Sequence, residues 1–381
     1  MLRKIQSVLI ALVFIIPIVG NLTINSDTVL SQENRTAFNF PKFNSLYYDF
    51  SGFLRALNDR LFGREFAQKY TLPYVQVLLS QKAEISDFAV EGIKTGWFFQ
   101  GDHANKVYSK HVFDVTEKDK LIDNVLIDID KIKNEVTQNV YLVVGPDKHG
   151  IYSDYMNQCI GHPGKYRYFD KTKKYVDELG YKVIDNYEAM INGKDKTEKT
   201  TIFYADDGHW NLKGANVAFN NTMQQILGAS YNPIAYSFMY KKHSAGDLNK
   251  NSLIAKTKTT LDDAIVKSDI VGQFYFKDLE SGEEVKIDRE LGSFPPIYGY
   301  VEEDNTNFLY SKSYSFRSNL KVALVSDSFG YNFKPFLIDY FKETLWINVY
   351  LERGKDKYKI FKYLKAFNPD LVLYLRMENS L

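Results

Sequence analysis

The chain has 381 residues, of which 45% are hydrophobic and 25% charged, enough for one large α/β domain or two smaller ones. A formal net charge of +1 gives a nucleic-acid partner no electrostatic support. The single cysteine, Cys159, excludes an intrachain disulfide and a cysteine-based zinc site.

Arg3 and Lys4 precede an uncharged stretch over 5–26, whose apolar heart, VLIALVFIIPIV, spans 8–19. Basic residues before an apolar run of about 20 residues are the signal-anchor pattern. With no Ala-x-Ala-like cleavage site, residues 1–26 are expected to be an uncleaved membrane segment with the remainder outside the cytoplasm. Residues 27–88 read as a polar stalk followed by a helical part. Within it Phe53, Leu57, Leu61 and Phe62 share one helix face.

Residues 89–381 read as the main domain. GIKTGWFFQG at 92–101 predicts a strand or hairpin, and 117–135 a helix. NVYLVVG at 139–145 is a buried-strand pattern, followed by a loop at 146–149. A helix is predicted at 168–179, strands at 181–184 and 200–204, and a helix at 214–227. Residues 230–315 break this alternation and read as an insertion. It contains a hairpin of 273–277 and 284–287 around Glu280-Ser281-Gly282. Strands return at 319–325, 345–350 and 371–375, with a helix at 355–366. Such alternation predicts an α/β fold with a mostly parallel sheet.

Two segments carry the chemistry. Ser326-Asp327-Ser328-Phe329 follows the apolar run LKVALVS, so Ser328 lies at a strand's carboxyl end, where sites form in open parallel sheets. The turn beyond it leads to a helix, whose backbone N–H groups suit an oxyanion. Asp207-Gly208-His209-Trp210 follows TIFYAD, which predicts a second strand end at the same sheet edge. A serine hydroxyl needs a base, an imidazole near neutral pKa is one, and a carboxylate fixes its tautomer. Ser328, His209 and Asp207 fill these roles, with Asp206 the substitute for Asp207, since sequence alone does not separate adjacent acids. Read singly, Ser328 also fits a helix cap, and His209 a buried hydrogen-bonded histidine or a metal ligand. Trp210 offers an aromatic face to a sugar or to the core. Lys148 and His149, at another strand end, and Arg353, after the strand at 345–350, are candidates for the substrate-binding wall. The chemistry requires no metal and no organic cofactor.

These segments resemble the SGNH-hydrolase-like polysaccharide O-acetyltransferases, which include the alginate acetylation proteins AlgJ and AlgX and the related DHHW proteins. Asp207-Gly208-His209-Trp210, with Asn211 and Gly214-Ala215, is similar to that family's Asp-x-His-Trp motif, and Ser326-Asp327-Ser328-Phe329 to its serine motif. Further similarities run in the same order: Glu33-Asn34-Arg35, Asn58-Asp59-Arg60-Leu61-Phe62-Gly63-Arg64, Gly96-Trp97-Phe98-Phe99, Pro146-Asp147-Lys148 with Ile151-Tyr152, and Asn368-Pro369-Asp370-Leu371-Val372. The resemblance spans about 33–381 and leaves 230–315 largely unmatched. Asp and His precede Ser, the reverse of ordinary SGNH hydrolases, and Ser-Asp-Ser stands where those have Gly-Asp-Ser.

The resemblance implies a three-layer SGNH-like fold with permuted motif order, and an extracytoplasmic O-acetyltransferase acting on an exopolysaccharide or cell-wall glycan. It implies an acetyl-Ser328 intermediate. It also implies a membrane-bound O-acyltransferase supplying acetyl groups, and further exopolysaccharide-synthesis subunits as partners. A carbohydrate acetylesterase using the same three residues, and a non-catalytic polysaccharide-binding subunit, are the alternatives.

Overall fold

Three apolar runs, Val140–Gly145, Ser318–Ser326 and Leu371–Met377, meet in the middle of one sheet. A strand covered by helices on both faces buries nearly every side chain, which is why each of these strands holds an unbroken buried apolar stretch, at 142–144, 322–325 and 371–375. The computed structural model describes residues 29–30, 35–36, 89–94, 96–102, 121–156, 167, 169–195, 201–242, 246–250, 262–268, 272–289, 308–349 and 357–381. The expected membrane segment at 1–26, the helical part at 47–79, Cys159 and Arg353 lie outside the described residues. Among the described residues no helix is long and apolar enough to cross a membrane.

In chain order the strands are β1 (Val29–Leu30), β2 (Arg35–Thr36), β3 (Ala89–Glu91), β4 (Phe98–Gln100), β5 (Val140–Gly145), β6 (Val183–Asp185), β7 (Tyr236–Lys242), β8 (Asp262–Ser268), β9 (Gly272–Asp278), β10 (Glu284–Arg289), β11 (Phe308–Ser313), β12 (Ser318–Ser326), β13 (Phe341–Asn348) and β14 (Leu371–Met377). The helices are α1 (Leu121–Glu135), α2 (Lys148–Ile151), α3 (Phe169–Glu178), α4 (Tyr187–Gly193), α5 (Leu212–Leu227), α6 (Asp247–Lys250), α7 (Gly330–Tyr340) and α8 (Lys357–Phe367).

The main sheet has eight strands in the order β10-β9-β11-β13-β12-β14-β5-β6. From β13 to β6 every pair is parallel. The other three strands are added antiparallel, so the segment 272–313, read as an insertion, extends the sheet beyond β13. Alternate residues of each central strand enter different layers. Val322 and Leu324 pack with Ala215, Phe219, Phe333 and Phe336 of α5 and α7. Ala323 and Val325 pack with α1, α3 and α8 through Ile122, Ile129, Phe169 and Leu364. This is a three-layer α/β fold with a mostly parallel mixed sheet.

After β12 the chain runs through α7 to β13 on one side, then through α8 to β14 on the other. A reversal of this kind opens a crevice at the carboxyl end of the strand where it occurs. Ser328 lies at that end.

The strand predicted at 200–204 does not form. Its place is taken by a tight loop closed by a bridge between Phe203 and Trp210, with Tyr204 N–H donating to His209 O (3.2 Å) and Asn211 N–H to Ile202 O (3.1 Å). Ile202 and Phe203 are buried, as the apolar pattern predicts, but against α5 rather than in the sheet. Asn211 caps α5, accepting from Gly214 N–H at 3.0 Å. A Cβ on Gly214 would lie 2.1 Å from Ile202 O, so only glycine admits the loop this close to the helix. His209 and Asp207 therefore reach the sheet edge on a helix-anchored loop, not at the end of a sheet strand.

Candidate active site

Ser328 sits in the turn between β12 and α7. Ser326, last residue of β12, faces inward, where its Oγ accepts from the Trp346 indole N–H at 3.0 Å. A Cβ on residue 330 would fall 1.8 Å from that oxygen, so the serine at 326 is compatible with this turn only because Gly330 follows. Asp327 is buried and ties the turn to the last strand. Its Oδ1 accepts from Phe329 N–H (3.0 Å), and its Oδ2 from Met377 N–H (2.8 Å) and the Ser380 hydroxyl (3.2 Å). Ser328 itself is half-buried.

The two sequence segments converge. The Ser328 hydroxyl lies 2.7 Å from His209 Nε2, and His209 Nδ1 lies 2.6 Å from Asp207 Oδ1. With Asp207 able only to accept, the ring proton belongs on Nδ1, which leaves Nε2 to accept from Ser328. Asp207 Oδ1 also accepts from His209 N–H (2.9 Å), and its Oδ2 from Asp247 N–H (3.1 Å). Asp206 is excluded from this role. It is fully buried, packs its carboxylate against Gly246 and accepts Leu248 N–H through its carbonyl.

Electrostatics follow the geometry. Burial acts to raise the Asp207 pKa, but the His209 ring and the hydrogen bonds outweigh it and hold the carboxyl well below the ordinary range. Burial acts to lower the His209 pKa, and the Asp207 carboxylate more than reverses this, so the ring titrates above its ordinary value. Asp207, His209 and Asp247 bring ligand atoms within 4.8 Å of one another, the group of this kind found among the described residues. A cation there would compete with the bond between Asp207 and His209.

Trp210 knits the two segments together rather than facing a ligand. It is fully buried, its indole donates to Phe329 O (3.0 Å), and its ring packs on Phe329 at 4.7 Å. Asn332 Nδ2 donates to Trp210 O at 2.7 Å. Gly145 at the end of β5 makes the space, since a Cβ there would meet the Phe329 ring at 2.8 Å and Trp210 at 3.2 Å.

Lys148 and His149 are also not on an open wall. They begin the buried helix α2, at 2% and 3% exposure. Lys148 Nζ is engaged by carbonyl oxygens, and His149 Nε2 faces Gln100 O at 2.8 Å. A buried cation is expensive unless fully hydrogen-bonded, and that is how Lys148 is accommodated. The contributions of Asp247 and Met377 are made through backbone N–H groups, which no residue identity announces.

Residues 91–271 match the family model described as SGNH hydrolase-like domain, acetyltransferase AlgX. This is the family that the sequence motifs resemble. The matched segment contains Asp207 and His209 and ends before Ser328, which the fold supplies from β12. Bacillus cereus PatB1 superposes with a TM-score of 0.55 at 16% identity, covering 77% of this chain and 97% of that one. A DHHW family protein from Eubacterium siraeum superposes with a TM-score of 0.52 at 14% identity, covering 78% and 93%. These likenesses show the shared fold. No curated protein matches the chain.

Proposed function

We propose that this protein is an extracytoplasmic O-acetyltransferase that moves acetyl groups onto hydroxyls of a polysaccharide through an acetyl-Ser328 intermediate. The observation that carries the reading is the continuous relay from Ser328 Oγ through His209 to Asp207, with both links at 2.7 Å or less. The matched family description, that of an acetyltransferase, supports the choice of group transferred.

His209 Nε2 takes the hydroxyl proton as Ser328 Oγ attacks the carbonyl carbon of an acetyl donor. The carbonyl oxygen becomes an oxyanion. The Ser328 N–H, which makes no hydrogen bond within the described residues, and the N-terminal end of α7 lie beside it. The tetrahedral species collapses, the leaving group takes the proton from His209, and Ser328 is left as an acetyl ester. In the second half an acceptor hydroxyl gives its proton to His209 and attacks the ester. Ser328 Oγ then leaves and regains the proton.

Residues 1–26 fit a membrane anchor in this scheme, and a membrane-bound O-acyltransferase fits the role of acetyl donor. Arg353 is proposed to line the acceptor groove. The deciding test is to incubate the full-length protein with an activated acetyl ester, with and without oligosaccharide acceptors, and analyse products by mass spectrometry. Acetylated oligosaccharide is the expected product. Acetate alone, whatever the acceptor, would make the protein an esterase. No acetyl-enzyme and no turnover would leave only a binding role.

A further inference from the structure

Lys148 carries a role that the acid–base chemistry does not use. Its ammonium lies beneath the His209 loop and donates to Ala205 O (2.6 Å), Phe98 O (2.7 Å), Tyr204 O (2.7 Å) and Asp207 O (3.1 Å). The Trp97 ring closes the site at 4.8 Å from Nζ. An ammonium has three N–H groups, so at least one is shared between two of the four oxygens. A neutral amine has only two, and would turn its lone pair on a carbonyl. The charged form is the one this cage fits.

The four carbonyls come from two separate pieces of chain. Phe98 belongs to β4, whereas Tyr204, Ala205 and Asp207 belong to the loop that bears the relay. Phe98 N–H also donates to Ala205 O at 2.8 Å, so the cation reinforces an existing junction. Above it, the Asp207 carboxylate meets His209. Lys148 is in turn held by its neighbour, because Asp147 N–H donates to buried Glu378 Oε1 at 3.0 Å.

We infer that Lys148 is a positioning residue whose ammonium gathers β4 and the 204–207 carbonyls and so sets Asp207 against His209. The inference rests on the proposed acyl-transfer role, since the relay is what it positions. Burial pushes the Lys148 pKa down to about 7, against the pull of Asp207 and Asp206, and the four carbonyl acceptors favour the protonated state.

The test compares wild type with Lys148→Met. Displacing a catalytic group by about 1 Å can cost about 10²-fold in rate. Lys148→Met is therefore expected to lower kcat for acetyl-ester turnover about 10²-fold with KM little changed. It is also expected to abolish the far-downfield proton NMR signal of the His209 Nδ1–H shared with Asp207. A variant that keeps that signal and a near wild-type kcat overturns the inference. If Lys148→Met does not fold, wild type decides by lysine-nitrogen NMR. Lys148 must appear as an ammonium with slowly exchanging protons below its lowered pKa of about 7, and a neutral amine or freely exchanging protons there overturns the inference. A wild type that never acetylates Ser328 defeats the proposed function alone, because the His209 signal still reports whether Lys148 positions Asp207.

Discussion

Replacing Ser328 by alanine is expected to lower kcat for acyl transfer about 10⁶-fold, the loss seen when a serine nucleophile is removed from such a relay. The cavity left is small, because Ser328 is only half-buried and, among the described residues, its hydroxyl bonds His209 alone. The thermal midpoint should therefore stay close to that of wild type. His209 remains fixed by Asp207, and what is lost is covalent capture of the acetyl group. A single-turnover experiment with an activated acetyl ester, followed by peptide mass analysis, reads this directly. Wild type should carry acetyl on the peptide containing Ser328, and the variant none. Equal acetyl release by both proteins would eliminate the covalent route.

Replacing Asp207 by asparagine is the next largest expected loss, about 10⁴-fold in kcat. An amide can present its NH₂ to Nδ1 and so place the imidazole in the wrong tautomer for taking the Ser328 proton. The pH profile carries a second signature. His209 must be neutral to act as base, so rate falls as pH drops through its pKa. Since Asp207 raises that pKa, the acid limb of kcat/KM in wild type should lie above about 6.5, the ordinary imidazole value. Asp207, held well below the ordinary carboxyl range, stays ionised across this limb. In Asp207→Asn the largest raising charge is gone and only the weaker pull of Asp247 and Asp327 still opposes burial, so the residual activity should show its limb at lower pH. A wild-type limb at or below 6.5, or one that the substitution does not move, would contradict the electrostatic account.

Much of this site can be read from the amino-acid sequence because its parts are local. Ser328 ends an apolar run, and Asp207 stands two residues before His209 in one turn, so residue type and spacing suffice. The choice between Asp207 and Asp206 cannot be made that way. It depends on backbone direction within the loop, which turns the Asp206 carboxylate towards Gly246 and the Asp207 carboxylate towards His209. Lys148 reads as part of an open substrate-binding wall because burying a charge is ordinarily costly. What offsets that cost is a set of carbonyls from residues 98 to 207, which no short window contains. The choice between sugar and core for Trp210 is closed to a short window for a related reason, since its burial requires Gly145 on β5 and Phe329 on the far side of the site. The strand expected at 200–204 fails because apolar pattern reports burial and not the surface that provides it.

The place of β14 has a consequence for the order of assembly. It follows β5 and β12 in the sequence yet hydrogen-bonds both, standing between them in the sheet. Until it inserts, each of those strands presents an open edge. Asp327 also waits for two of its side-chain donors, Met377 N–H and the Ser380 hydroxyl. A chain in which every other element had formed would still hold the nucleophile turn unset. Hydrogen exchange pulsed during refolding should accordingly protect the amides of β14, Asp327 and Phe329 in one common late step. Protection of the turn ahead of the strand would show that it can set itself. On this account the chain acquires its reactive serine as the final act of closing the sheet, so incompletely folded molecules carry no premature nucleophile.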